Sequence, residues 1–338
     1  MNKTFSTFVA GLLIGVILAT GGFAFFLRSQ KNAGNNTSQT VLKLGHGLET
    51  AHPIHKSIEH MKERLEALSG GSVTIDIYPS GVVGNEVASI EQLQNGSLAM
   101  TSQSVAAMEN FIPSMATFSL PYVFRDSDHF WKVLDGDVGR ELMEKGEKKY
   151  LHGLCYFDSG SRNFYTVDKP IRTPDDLKGM KIRVMNSPTA INMIKTLGGS
   201  PTPIAFSELY SALAQGTVDG AENNPPSFYS KQHFKVCKHF SKDGHTRVPD
   251  ILLMSSKVWD QLSPEQQGWV AQAARECSAF QRELWQADTE RSLKAVEAEG
   301  TVIYEVDTAL FAEKVKPMLD AIDDVEVQTL LKKISEVK

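Results

Sequence analysis

Twice along this chain, short alternating apolar stretches give way to helical spacings that stop at glycine, a rhythm that narrows the fold to packed α/β layers. Val41–Gly45 alternates as a strand, and Ile54, Ile58, Met61, Leu65 and Leu68 then recur at helical spacing until Gly70-Gly71. Val73–Tyr78 reads as a second strand ended by Pro79-Ser-Gly81, Ala88–Leu93 as a helix closed near Gly96, and Leu98–Ser102 as a third strand. This β-α-β-α-β order implies a mainly parallel sheet with helices on its faces. The order then returns. Strands are expected at Leu151–Phe157, Phe164–Val167, Lys181–Val184 and Val218–Ala221. Between them lie a helix start at Thr173-Pro-Asp-Asp176, a helix at Pro188–Leu197, and a helix over Glu208–Ala214 capped by Ser207. Two such units in one chain predict two lobes around a cleft.

One later element is longer than either unit needs. Ser263-Pro-Glu-Gln266 is a capping box, and from there to Glu299 only Gly268 interrupts a helix-favouring run. Trp269, Ala273, Cys277, Phe280 and Leu284 fall on one face, and Leu293 and Val296 extend it. A continuous helix would be on the order of 50 Å long and would brace both lobes. The alternative is two helices with a break near Ala287.

At the other end, Met1-Asn-Lys3 precedes an uncharged, largely apolar stretch from Thr4 to Leu27, closed by Arg28 and Lys31. A secretory signal has this order. As a helix, Phe5–Leu27 would reach roughly 34 Å, enough to cross a hydrocarbon core, and bulky Phe23-Ala-Phe-Phe26 offers no clean cleavage site. Residues 1–28 are therefore expected to be a signal peptide or a retained signal anchor. Residues 29–40, rich in Asn, Ser, Thr, Gln and Gly, are expected to be a flexible tether. The chain carries 40 acidic against 35 basic residues, a net charge of −5, which gives nucleic acid no electrostatic footprint. Cys155, Cys237 and Cys277 form no CxxC pair and fit buried small apolar groups better than a disulfide framework.

Arg183 is the first candidate for chemistry. In Lys181-Ile-Arg-Val184 it faces away from Ile182 and Val184, and Met185-Asn-Ser-Pro188 then places a helix start beside the strand end, where open α/β sheets bind ligands. A guanidinium fork matches a carboxylate, and helix-start amides would add to the same anion site. A surface arginine paired with an acid remains the open alternative. Arg162, in Gly160-Ser-Arg-Asn163, and the amides of Asn223-Asn224 stand at two further strand ends. Together they suit an anionic, hydroxylated ligand.

These residues also carry a resemblance. Pro170-Ile-Arg-Thr-Pro-Asp-Asp-Leu-Lys-Gly-Met-Lys-Ile-Arg183, Leu197-Gly-Gly-Ser-Pro-Thr-Pro203, Glu208-Leu-Tyr-Ser-Ala-Leu213 and Gly216-Thr-Val-Asp-Gly-Ala-Glu-Asn-Asn224 resemble the solute-binding subunits of tripartite ATP-independent periplasmic (TRAP) transporters. Ala51-His-Pro-Ile-His55 and Ser119-Leu-Pro-Tyr-Val-Phe124 fit as well. The resemblance implies a two-lobed, periplasmic-binding-protein-like α/β fold with hinge strands and a long helix spanning both lobes. It implies Arg183 as the carboxylate clamp, with Arg162 and Asn223 beside it and Asn186 and Phe206 lining the cleft. His52, Glu86, Asn85 and Gln103 complete the expected substrate-binding set. Lobe I is expected over 41–160 plus about 249–287, and lobe II over 161–248 plus about 288–338. His52 before proline and Glu222-Asn-Asn-Pro-Pro-Ser-Phe-Tyr229 resemble members that bind sugar acids such as hexuronates and aldonates. Gly84-Asn-Glu-Val-Ala-Ser89 lacks the Arg-Glu pair that often follows the position of Glu86.

The expected protein is an exported, periplasmic receptor, monomeric, without cofactor or metal. Its partners would be a small carboxylate and the permease subunits of the transporter. No GxSxG, HExxH or phosphate-cradling loop supports an enzyme. His46, His52, His55 and His60 lack an assignable third ligand for a metal. A receptor for an ATP-driven importer, or for C4-dicarboxylates, remains the alternative.

Overall fold

The computed structural model describes residues 39–338; the expectations for residues 1–28, and for 29–38 of the tether, lie outside them. The described strands are β1 (Thr40–His46), β2 (Val73–Tyr78), β3 (Met100–Ser104), β4 (Leu151–Phe157), β5 (Arg162–Thr166), β6 (Lys181–Val184), β7 (Ser200–Pro203), β8 (Gly220–Asn223), β9 (His239–Thr246), β10 (Asp250–Ser255) and β11 (Val302–Glu305). They sort into two sheets, ordered β2-β1-β3-β10-β4 and β11-β9-β5-β8-β6-β7. Both faces of each sheet are covered by apolar clusters, which the side-chain alternation makes visible. Ile251 and Leu253 enter one cluster while Leu252 and Met254 enter another. In the second sheet Phe164 and Tyr165 part in the same way.

The expectation of mainly parallel sheets needs correcting. β1 and β3 are parallel, as are β6 and its neighbours β7 and β8. However, β10 runs antiparallel to both β3 and β4, and β5 antiparallel to β8 and β9. These are the strands through which the chain passes from one sheet to the other, so they enter from the cleft and run away from it. Register then decides what lies at the cleft. Asp250 at the start of β10 stands opposite Ser104 at the end of β3 and Phe157 at the end of β4. In the second sheet, Arg162 opens β5 and Asn163 pairs with Asn223 at the end of β8.

The two crossings are lashed together. Arg247 Nη2 donates to both oxygens of Asp158, at 3.0 and 2.9 Å. Gln281 brackets the same residue, accepting from its N–H and donating to its C=O, both at 2.8 Å. At Gly160 φ is +56°, and a Cβ there would meet the Trp285 indole nitrogen at 2.9 Å, so this position needs glycine for two reasons.

Gln281 and Trp285 belong to one unbroken helix, Pro264–Ala298, about 52 Å long, started by the expected Ser263–Gln266 capping box. Val270, Ala273 and Cys277 pack with the first sheet and Val296 with the second. Its buried face is rotated from the expected one. Phe280 is exposed, while Ser278, Gln281, Asp288 and Ser292 are buried. A helix laid against two crossing strands buries polar groups that satisfy their backbone, as Ser278 Oγ does on Tyr156 O at 2.7 Å.

Three smaller expectations change. The element at Thr173 is a 3₁₀ turn, Pro174–Leu177, closed by a Thr173–Asp176 capping box. Ser207 caps nothing, because a 3₁₀ turn at Phe206–Glu208 leads directly into the Leu209–Ala214 helix. The final helix, Val325–Glu336, places Leu330 and Ile334 in a cluster of the first sheet and Val327 in one of the second. The chain's tail therefore does not stay with lobe II alone. All three cysteines are free and buried. Among the described residues no helix is long and apolar enough to cross a membrane.

Candidate ligand-binding cleft

The cleft edges of the two sheets line a small, partly open cavity of about 50 Å³. Of the nine residues expected at the site, six line it: His52, Glu86, Arg162, Arg183, Phe206 and Asn223. Asn85 and Asn186 lie instead in a neighbouring groove. Asn85 Oδ1 caps the Glu86–Asn95 helix, and the Asn186 carbonyl accepts from Asn110 Nδ2 at 2.8 Å. Gln103 is buried in β3, where it donates to Thr101 Oγ1 at 2.7 Å. Asn224, whose amide the sequence also offered, lines the cavity too, while Asp250, Ser104, Ser159 and Ser227 line it without having been singled out as contacts.

Arg183 alternates with Ile182 and Val184, which sink into an apolar cluster and turn the guanidinium to the opposite face. It is 1% exposed. Its Nε donates to Ile204 O at 2.8 Å, and Nη1 is buried without any partner. The Phe206 ring lies 5.6 Å from its Cζ. Burial pulls the guanidinium below its ordinary value, yet an arginine keeps its charge. A buried, unpaired cation costs several kcal/mol, and an anion entering the cavity would cancel that cost.

Arg162 differs in kind. It forms a bidentate pair with Glu222, through Nε to Oε2 and through Nη2 to Oε1 at 2.9 Å. Nη2 also reaches the Glu222 carbonyl at 2.9 Å, and Nη1 reaches Asn223 Oδ1 at 3.0 Å. Behind them His245 stands between Glu222 Oε2 at 3.4 Å and Asp243 Oδ2 at 2.7 Å. Burial alone would raise the Glu222 carboxyl, but Arg162 and His245 override it and hold it at about 2. Burial would likewise lower His245, but Asp243 and then Glu222 raise it to about 9. Two cations and two anions thus cancel beneath the cavity. Asn223 spends its oxygen on Arg162 and on the Asn224 N–H at 2.8 Å, which leaves its NH₂ to donate.

His52 caps the Pro53–Ser69 helix through Nδ1, which accepts from Ile54 N at 3.2 Å. Desolvation keeps the ring neutral, with its pKa lowered to about 3. The proton therefore sits on Nε2, which donates to Ser227 Oγ at 3.3 Å across the cleft. Lys231 and Glu49 make a second bridge across it at 2.5 Å.

The helix start after β6 is not free for a ligand as expected. Glu109 fills it, accepting from Ser187 Oγ at 2.9 Å and from the Thr189 N–H at 3.1 Å. Anion capture in the cavity therefore falls to side chains. Among the described residues no group of three or more His, Cys, Asp or Glu side chains is arranged to hold a metal.

A cleft of this geometry, with a reserved arginine, is what a solute receptor needs, and the comparisons decide the family. The model for bacterial extracellular solute-binding proteins, family 7 (DctP), matches residues 44–324. The chain belongs to that family. A TRAP periplasmic solute-binding protein from Bradyrhizobium sp. BTAi1, solved with α/β-D-galacturonate, is 38% identical, with a TM-score of 0.85 over 87% of this chain and 99% of that one. Another from Citrobacter koseri, solved with D-glucuronate, is 36% identical, with a TM-score of 0.85 over 89% and 100%. The 2,3-diketo-L-gulonate-binding periplasmic protein YiaO of Escherichia coli is 30% identical over 88% of this chain and 92% of its own length. The two-lobed TRAP receptor fold is thereby established for this chain.

Proposed function

We propose that this family 7 receptor captures a sugar acid, a hexuronate or an aldonate, in the cleft and releases it unchanged to the permease subunits of a TRAP transporter. The observation that carries this reading is Arg183: fully buried, facing the cavity, with one guanidinium nitrogen lacking any partner. Arg183 is the carboxylate clamp in this reading. Arg162 holds Glu222 and Asn223 in place beside it, and Asn223, His52 and Phe206 shape the cavity. Lobe I (41–160 plus about 249–287) and lobe II (161–248 plus about 288–338) close on the ligand by bending at the 158–161 and 247–249 crossings, with the last helix bridging both. Residues 1–28 export the chain to the periplasm, where it acts as a monomer. Support comes from the uronates in the related structures.

A thermal-shift screen of the purified protein against sugar acids, aldonates and dicarboxylates tests the reading, because a ligand that binds only the folded state raises its stability. A hexuronate or aldonate should raise Tm by several degrees at millimolar concentration and be recovered unchanged. A shift confined to ligands without a carboxylate would overturn the assignment.

A further inference from the structure

Building on the sugar-acid reading above, we propose that Asp250, together with Glu86, reads the hydroxyl-bearing end of the ligand and rejects a second carboxylate there. The lining of the cavity is polarised. Its second-sheet wall carries the reserved charge of Arg183, while its first-sheet wall carries two carboxyls, Glu86 and Asp250. Asp250 opens β10 opposite Ser104, and Glu86 is the first residue of the Glu86–Asn95 helix. Ser159, whose buried hydroxyl makes no other bond, stands beside Asp250, and the Ser104 amide stands beside Glu86. No arginine, lysine or histidine forms an ion pair with either carboxyl among the described residues.

With Arg162 offset by Glu222 and His245 by Asp243, the charged groups of the lining without an ion-pair contact are one cation and these two acids, of which Glu86 feels the Arg183 charge at longer range. A ligand carboxylate on Arg183 leaves the far end of a small molecule facing the acids. Hydroxyls donate to a carboxylate, whereas a second carboxylate would meet like charge in a poorly solvated space. The arrangement therefore favours a polyhydroxylated monoacid over a diacid.

It also ties binding to protons. Desolvation, with Glu86 adding to it, already lifts Asp250 to about 7, and desolvation raises Glu86 as well. An incoming anion pushes both further up, so binding takes up protons and affinity falls as pH rises through 7. The other groups facing the pair hold their charge over pH 6–8. Arg162 and Arg183 stay cationic, His52 stays neutral, Glu222 stays ionised, and His245 stays protonated below about 9.

Titration calorimetry with D-galacturonate, D-glucuronate and succinate, at pH 6 and 8 in buffers of differing ionisation enthalpy, tests this on the full chain, Asp250→Asn and Glu86→Gln. The unchanged protein should bind a uronate at least about 100-fold tighter than succinate. It should take up part of a proton and bind at least about threefold more weakly at pH 8 than at pH 6. Asp250→Asn should flatten the pH dependence and narrow the uronate–succinate gap at least about tenfold, and Glu86→Gln should do so in part. Succinate bound as tightly as a uronate by the unchanged protein overturns the proposal, as does uronate binding without proton uptake, whether or not the variants fold. So does a gap that Asp250→Asn leaves intact. Binding of neither uronate removes the sugar-acid reading itself, and the role of Asp250 with it.

Discussion

Arg162 and Arg183 stand at the cleft edge of the same sheet with one strand, β8, between theirs, and both are almost wholly buried. Four hydrogen bonds tie Arg162 to Glu222 and Asn223, whereas Arg183 makes one, to a backbone carbonyl. Burial by itself therefore says little about role; what separates the two is whether the charge has been answered. Arg162 belongs to a neutral network that shapes the wall. Arg183 is a cation the fold leaves for something else to neutralise.

The largest effect should come from exchanging each arginine for an apolar group of similar length. Arg162→Met leaves Glu222 buried without its main counter-ion, a loss of about 3–5 kcal/mol. That should lower Tm by on the order of 10 °C. Arg183→Met removes an unanswered charge, so Tm should hold or rise while uronate affinity falls at least about 100-fold. Adding Glu222→Gln to Arg162→Met should recover part of the lost stability. Calorimetric melting and titration of the variants, side by side, measure both quantities. Equal losses of stability at the two positions would break the contrast.

A finer cut keeps the charge and removes the fork. Arg183→Lys should weaken uronate binding at least about tenfold, because an ammonium cannot make two parallel bonds to one carboxylate. Arg162→Lys should act less on affinity and more on melting temperature. Titration of both variants, with circular dichroism as the folding control, gives the order. A parent-like Arg183→Lys beside a non-binding Arg162→Lys would reassign the clamp.

The strand segments, the long helix and the placing of Arg183 were legible because each depends on local pattern: alternation, glycine stops, a capping box, a strand running into a helix start. What could not be read was partnering. Arg162 and Glu222 are 60 residues apart and meet only through the β5–β8 register. Glu109 reaches the helix start after β6 from about 80 residues upstream, so the amides there looked free. Asp250 gave a faint signal, an acid after proline opening an otherwise apolar strand, but only the antiparallel insertion of β10 brings it to the cleft. The long helix was misread by a fraction of a turn because apolar periodicity cannot anticipate buried Gln281 and Asp288.

The network behind Arg162 also makes stability depend on pH. His245 is held at about 9 in the fold against an ordinary 6.5, so its contribution is complete below pH 6.5 and lost as pH rises through 9. Glu222, held at about 2 against 4.5, contributes above pH 4.5 and loses that contribution as pH falls through 2. The network is strongest between about pH 4.5 and 6.5. Asp250, raised to about 7, also lowers stability with rising pH, but its effect is largely spent by pH 7.5. Between pH 7.5 and 9 His245 loses roughly 2 of its 3 kcal/mol, and the three buried cysteines, whose thiols burial raises above their ordinary value, add to the same fall. Melting curves across that range should fall for the parent and fall less steeply for His245→Gln; parallel curves would remove His245⁺ from the network.

The smallest expected effect lies where Arg183 meets the bridge across the cleft. The Phe206 ring meets two cations, with Arg183 Cζ 5.6 Å and Lys231 Nζ 5.3 Å from its centroid. Lys231 is tied in turn to Glu49 on the opposite wall, and Glu49 also accepts from Ser80 Oγ at 2.7 Å. Glu49 is about one-third exposed, so solvent screens the pair and its worth is about 0.2–1 kcal/mol. If the contact forms only when the lobes close, that energy appears in ligand affinity, as a weakening of up to about fivefold for Lys231→Ala or Glu49→Ala. The loss should sit in the dissociation rate and shrink at 0.5 M salt, where the parent's own bridge is screened. Stopped-flow dissociation of a bound uronate at two salt concentrations measures it. Dissociation unchanged in both variants would mean that Glu49 and Lys231 are paired in the open cleft as well, leaving the hold on the ligand to Arg183 and its neighbours.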